Sequence, residues 1–280
     1  MRASSTAVRP RTRSAAATAL CTLACASGVA AFSLVSVQQE VEIGKEAQQE
    51  IRKQVPELRD ATINSYVDSI GSRLAAHAPG AKYPYSFSVA NYKEINAFAL
   101  PGGPIWVHRG AIDAAQNEAQ LAGVIAHEVA HISERHAAAQ LTKATVANGL
   151  LGLLGAAMNN DGKGAAAARI GAAFATQSLF MKFSRDDERE ADRVGVEILT
   201  RAGWDPHGLP EFLAVLRDQQ KRAPSSVETF FSSHPAPASR VTELREVVGT
   251  KAGRRDSTEF QTVQRRLDSL PPAQAMPTNN

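Results

Sequence analysis

Apolar positions recur at helical spacing through two early stretches of the chain. Ile43, Ala47, Ile51 and Val55 are four apart, and Ile63, Val67, Ile70 and Leu74 resume the pattern after an interruption near Pro56. Each stretch predicts an amphipathic helix. "HAPGAKYPY" reads as a turn. "SFSVA" alternates like a strand, and "AFALPGGPIWVHRGAI" reads as strand, glycine turn and strand. Asp113, with Gln116 three places on, is the expected N-cap of the next helix. Residues 118 to about 140 are expected to form one strong helix. Between 144 and 183, two Ala- and Gly-rich arms flank "NNDGKG" and predict a helical hairpin. Neither arm is long and apolar enough to span a bilayer comfortably, so a buried hairpin is expected, with a membrane-touching or lid hairpin as the alternative. "SRDDEREADRVGVEILTRAGWDP" predicts a helix closed by Gly203 and Pro206, and "PHGLPEFLAVLRDQQ" another. "FFSSHPAPASRVTELREVV" begins as a loop and becomes helical after its prolines. "FQTVQRRLDSL" is a last amphipathic helix, after which "PPAQAMPTNN" is expected to fray. The sum is an α+β chain, predominantly helical, without an internal repeat.

Composition narrows this picture at one end. With 280 residues, 44% hydrophobic and 21% charged, the chain can bury a sizeable core, and neither wholesale disorder nor a multi-pass membrane protein fits. The first 31 residues differ from the rest. Arg2, Arg9, Arg11 and Arg13 precede "AAATALCTLACASGVAA", and no acid occurs before Glu40. A basic start, an apolar stretch and small residues at its end describe an export signal, with cleavage after "ACA" or "VAA". An uncleaved N-terminal anchor and a lipoprotein attached at Cys25 are the alternatives. Both cysteines, Cys21 and Cys25, fall in this leader, so a cleaved product holds no disulfide. Losing the four arginines takes the formal charge from +3 to −1, which leaves no electrostatic case for nucleic-acid binding. The expected organisation is a leader over 1–31, one domain over 32–250 and a polar tail over 251–280.

"AHEVAHISERH" changes the picture most. His127 and His131 are one helical turn apart, about 6 Å along the axis, so both imidazoles can reach one ion. Zinc accepts imidazole nitrogen and, at catalytic sites, takes three protein ligands plus water. Glu128 beside His127 can act as a base on that water, and His-Glu-x-x-His on a helix is the signature of a zinc peptidase. The surrounding "LAGVIAHEVAHI" is apolar; histidines and a carboxylate in such a helix need a reason, although satisfied core histidines are the simpler account. His136 lies about 140° round the helix from His131 and cannot join the pair unless the helix breaks. It therefore reads as structural or exposed, and the third ligand must come from elsewhere. "DEREAD" is the candidate: Glu188 and Asp192 share a helix face, so one could ligate while the other hydrogen-bonds a ligating histidine. Glu190 points about 200° away from Glu188. On composition alone the run is an ordinary solvated helix face.

Taken together, His127-Glu128-x-x-His131, the Glu188-x-x-Ala191-Asp192 run preceded by Ser184 and Arg185, "NAFALPGGPIWVHRGAI" and "SSHPAPASR" occur in order. This set resembles the M48 family of zinc metallopeptidases over residues 38–248, and within it the soluble exported bacterial members, without the tetratricopeptide-repeat region that some carry. The resemblance implies a zincin-like (gluzincin) fold with a small β-sheet edge beside the His-Glu-x-x-His helix. It makes His127, His131 and Glu188 ligands of one Zn2+ per chain, Glu128 the catalytic base, and Asp192 a residue supporting a ligand. His234 matches a histidine that approaches the metal in a closed state, and Arg240 an arginine near the site.

The expected activity is hydrolysis of peptide bonds in exported or envelope proteins, in protein quality control. Glu128 acts as general base, and His234 or Arg240 stabilises the oxyanion. His234 could instead hold the enzyme off. An extended substrate adding to the strand edge would touch Asn96, Ala97 and Phe98. Expected partners are misfolded or misassembled envelope polypeptides, with peripheral membrane contact as an option, and the expected location is the periplasm or cell envelope. Two other classes of function stay open: a quality-control chaperone whose active site is normally latent, and a zinc-stabilised structural module.

Overall fold

The computed structural model describes residues 33–147, 169–173, 182–235 and 239–277. The leader and most of the Ala/Gly-rich hairpin lie outside the described residues. In chain order the elements are α1 (Val37–Gln54), α2 (Ala61–Ala75), β1 (Ser86–Ala90), β2 (Ala97–Ala99), β3 (Pro104–His108), α3 (Arg109–Ala114), α4 (Glu118–Ser133), α5 (His136–Ala147), α6 (Arg185–Arg201), α7 (Gly208–Arg222), α8 (Glu228–Ser233), α9 (Ser239–Val248) and α10 (Thr258–Asp268). A further helical stretch covers 169–173.

The expected apolar stripes are the buried ones: Ile43, Ala47 and Ile51 on α1, and Ile63, Val67, Ile70 and Leu74 on α2. Helix starts follow capping chemistry. Ser36 and Gln39 form a capping box at α1, Asp60 accepts from the amides of Thr62 and Ile63 at α2, and Ser184 with Asp187 does for α6 what Ser36 does for α1. Asp113 is not a cap. β3 runs straight into α3 at Arg109, so Asp113 is already helical, and Asn117, in extended backbone, caps α4 by accepting from Gln120.

The sheet has the order β1-β3-β2. β1 pairs parallel with β3, Ser86 opposite Pro104 and Ala90 opposite His108, whereas β2 pairs antiparallel, Ala97 opposite Val107. Every residue of the central strand β3 is buried. α4 is buried on all sides, Ala- and Val-rich because it packs on α2, α6, α7 and the sheet at once. Such close approach needs residues without side chains. A Cβ on Gly208 would lie 2.1 Å from the Ala119 carbonyl oxygen of α4, and one on Gly195 of α6 would lie 3.3 Å from the His127 amide nitrogen.

The strong helix expected over 118–140 is broken. Arg135 adopts φ 63°, and the chain turns before restarting as α5. The end of the chain does not fray at "PPAQAM" either. α10 buries Phe260, Val263 and Leu267, and the Gln274 carbonyl accepts from the Lys93 amide (2.8 Å) while the Gln274 amide donates to the Asn91 carbonyl (3.0 Å). No helix among the described residues is long and apolar enough to cross a membrane.

Candidate metal centre

The one-turn spacing on α4 brings the imidazoles of His127 and His131 together, Nε2 to Nε2 at 3.0 Å. α6 crosses α4 where Gly195 allows contact and delivers Glu188, whose carboxylate oxygens lie 3.5 Å from each of those nitrogens. His234 follows the short helix α8; its Nδ1 lies 3.4 Å from His127 Nε2 and 3.0 Å from Glu188 Oε1. These four ligand atoms all lie within 4.8 Å of one another. Nitrogen and oxygen ligands about 2.0–2.1 Å from a tetrahedral ion sit roughly 3.3–3.4 Å apart. The observed separations of 3.0–3.5 Å surround that value. Three buried imidazole nitrogens and a carboxylate oxygen converging in this way fit a divalent cation, and the residues present could hold one.

Charged groups surround this cluster. His127 Nδ1 lies 3.1 Å from Asp192 Oδ1. Arg240 grips Asp192 with two parallel bonds, Nε at 2.8 Å and Nη2 at 2.7 Å, while Nη1 forms an ion pair with Glu188 Oε2 at 2.7 Å and donates to the Pro235 carbonyl at 3.4 Å. Glu128 is 0% exposed, and neither carboxylate oxygen has a hydrogen-bond partner among the described residues. His234 Nε2 lies 3.6 Å from Glu128 Oε1.

Electrostatics follow from burial and neighbours. Burial raises the Glu128 carboxyl above its ordinary value, and the lowering by His234 and His127 does not cancel it. Burial also opposes charge on Glu188, but His234, His127 and His131 outweigh it and hold this carboxyl well below the usual range. For Asp192, Arg240 overcomes burial in the same direction. Burial keeps His131 neutral, far below the usual histidine value. On His127 burial is outweighed by Asp192 and Glu188, which lift it to about 10.

The sequence pattern of peptidase family M48 matches residues 61–248. The chain belongs to that family. Among relatives, it is 35% identical over 223 residues to the beta-barrel assembly-enhancing protease of Escherichia coli (strain K12), covering 78% of this chain and 45% of that protein. It is 36% identical over 225 residues to the putative beta-barrel assembly-enhancing protease of Vibrio cholerae, covering 78% and 46%. It is 25% identical over 233 residues to mitochondrial metalloendopeptidase OMA1 of Schizosaccharomyces pombe, covering 81% and 66%. The chain spans less than half the length of the two bacterial relatives.

Within this M48 chain, the structure brings His127, Glu128, His131, Glu188, Asp192, His234 and Arg240 to one place. The three strand residues stand differently. The Asn96 carbonyl accepts from the His108 amide (2.9 Å), and the Leu100 amide donates to Pro104 (2.8 Å). In an antiparallel ladder the paired residues alternate, so Phe98 also turns its backbone to β3. Ala97 and Ala99 direct theirs away from β3. The Phe98 ring stacks on Trp106, and the Asn96 side chain is buried with no hydrogen-bond partner among the described residues. Once the hairpin register is known, strand parity gives Ala99 the same outward backbone as Ala97, a residue the sequence did not single out. Phe183, whose ring lies 4.1 Å from that of His131, carried no sequence signal. The segment bearing His234 is pinned by two backbone bonds, Ile95 amide to Ser226 carbonyl (2.8 Å) and Phe183 amide to Ser233 carbonyl (3.1 Å).

Proposed function

We infer that this M48 chain is a zinc-dependent endopeptidase. The observation that carries the reading is an unpartnered, fully buried Glu128 beside four converging ligand atoms. His127, His131 and Glu188 would hold the ion. Zinc, when bound, supplies a Lewis acid that polarises the scissile carbonyl and makes water more acidic. Glu128 takes the proton of the attacking water and passes it to the leaving amine, a task suited to a carboxyl whose proton affinity burial has raised. Asp192 orients His127, and Arg240, paired with Asp192 and Glu188, positions those carboxylates. Substrate backbone would pair with Ala97 and Ala99. The relatives' names, protease and metalloendopeptidase, support polypeptide substrates, and the leader over 1–31 supports export to the periplasm or cell envelope, as a cleaved, lipidated or anchored protein. The peptidase domain over 32–250 would act there on misfolded or misassembled proteins.

A second reading, a normally latent site, is favoured by one observation. His234 sits among the ligand atoms, and the whole cluster is buried. In that reading His234 fills the position a substrate needs.

The test uses purified full-length chain, zinc quantification and cleavage of denatured casein. Glu128→Gln is made in both wild-type and His234→Ala backgrounds. The expected result is one zinc retained and at least a 100-fold loss of cleavage wherever the parent cleaves. Cleavage that survives Glu128→Gln, or a wild type without zinc, refutes the enzyme. Faster cleavage by His234→Ala selects latency, and slower cleavage assigns His234 to the reaction.

A further inference from the structure

His136 was expected to be structural or exposed because a continuous α4 would carry it away from the ligand pair. The break at Arg135 reverses that. Arg135 is held in its left-handed turn by Glu40, which accepts from Nε at 2.7 Å. α5 then starts with His136 facing back toward the site, 1% exposed. Its Nδ1 lies 2.9 Å from His131 Nδ1, and its Nε2 lies 3.3 Å from Glu190 Oε2. The rings meet nearly edge-on, 4.9 Å apart, and Phe183 covers both.

One arrangement of protons satisfies every atom. His131 Nε2 faces the other ligand atoms and must keep its lone pair, so the ring proton sits on Nδ1 and is donated to His136 Nδ1. His136 then carries its own proton on Nε2 and donates it to Glu190. We propose that His136 and Glu190 form a positioning arm that fixes the tautomer and rotation of His131 as a metal ligand, matching the Asp192 arm that fixes His127. α6 thereby supplies all three acids: Glu188 to the ion, Asp192 directly to one histidine and Glu190 through a relay to the other. The alternation works because Glu190, about 200° round the helix from Glu188, points toward the start of α5. Outer partners of this kind typically govern ligand affinity by 10- to 100-fold.

The proposal rests on the metalloenzyme reading, and its test separates the two. Zinc affinity is measured on full-length protein by competition with a chromophoric chelator, for wild type, His136→Phe, His136→Asn and Glu190→Gln. The visible spectrum of the cobalt-substituted forms is recorded alongside. Asn can place an acceptor oxygen where His136 Nδ1 stands, whereas Phe preserves ring bulk and offers none. The arm predicts a 10- to 100-fold loss for His136→Phe with a shifted cobalt band, partial rescue in His136→Asn, and a measurable loss of about 2- to 10-fold for Glu190→Gln, whose carboxylate is 37% exposed. A packing role predicts the opposite order, Phe close to wild type and Asn worse, and that order overturns the arm. If either histidine variant fails to fold, Glu190→Gln decides alone: unchanged affinity and spectrum refute the relay. A wild type that binds no zinc refutes both readings, whereas zinc binding indifferent to all three changes refutes only the arm.

Discussion

His108 gives the sharpest test of how this core responds to pH. It ends β3, and its ring is enclosed by Tyr92 at 5.3 Å and Phe98 at 6.1 Å. Nδ1 donates to the Glu94 carbonyl at 3.1 Å, while Nε2 is buried without a partner among the described residues. Burial lowers its pKa from 6.5 to about 4, only partly opposed by the Glu94 carbonyl. The folded state therefore binds the His108 proton more weakly than the unfolded chain does. This group's contribution is intact above pH 6.5 and is lost as pH falls through 6.5 toward 4. The gap of about 2.5 pH units, at 1.36 kcal/mol per unit, is worth about 3 kcal/mol in full, and about 2 kcal/mol of that is lost between pH 7 and 5. His108→Phe keeps the ring packing, removes the titration and leaves the Glu94 carbonyl unpaired, at a cost of about 1–2 kcal/mol independent of pH. Urea unfolding of both proteins at pH 8, 7, 6 and 5 should give a difference of about 1–2 kcal/mol in favour of wild type at pH 8, vanishing near pH 5. A difference that stays constant across the series would mean that His108 keeps an ordinary pKa, and the burial argument would be refuted.

Two further outcomes follow from packing and charge. Arg240→Met leaves Asp192 and Glu188 as buried anions without their guanidinium and should cost about 3–5 kcal/mol in urea unfolding under chelator. Asp192→Asn added to it should cost much less than the separate losses combined, and strict additivity would show that the pair is not coupled. Gly208→Ala drives a methyl to 2.1 Å from the Ala119 carbonyl and should cost at least about 1–3 kcal/mol, whereas Gly195→Ala, at 3.3 Å from the His127 amide, should stay within about 1 kcal/mol because helix propensity offsets a small shift. Thermal or urea unfolding with the reverse order would refute the close-approach account.

Local periodicity made much of this legible. Spacings of three and four residues announced both early helices and the paired histidines, and the Glu188/Asp192 spacing announced a shared face. What escaped had non-local causes. The turn at Arg135 contains no glycine or proline; it is held by Glu40, which is far away in sequence and close only after α1 has docked. After that turn His136 faces His131 instead of solvent. Strand parity likewise depends on which residues of β2 pair with β3, which the hydrophobic pattern of three residues could not define. The run "PPAQAM" looked free because its partners, Asn91 to Glu94, are met only when the chain has come back round.

The two backbone bonds that hold the His234 segment, at Ile95 and Phe183, bear on access. Glu128 is wholly enclosed, so any large molecule could meet it only after the surroundings part, and an opening on the His234 side would have to break those two links.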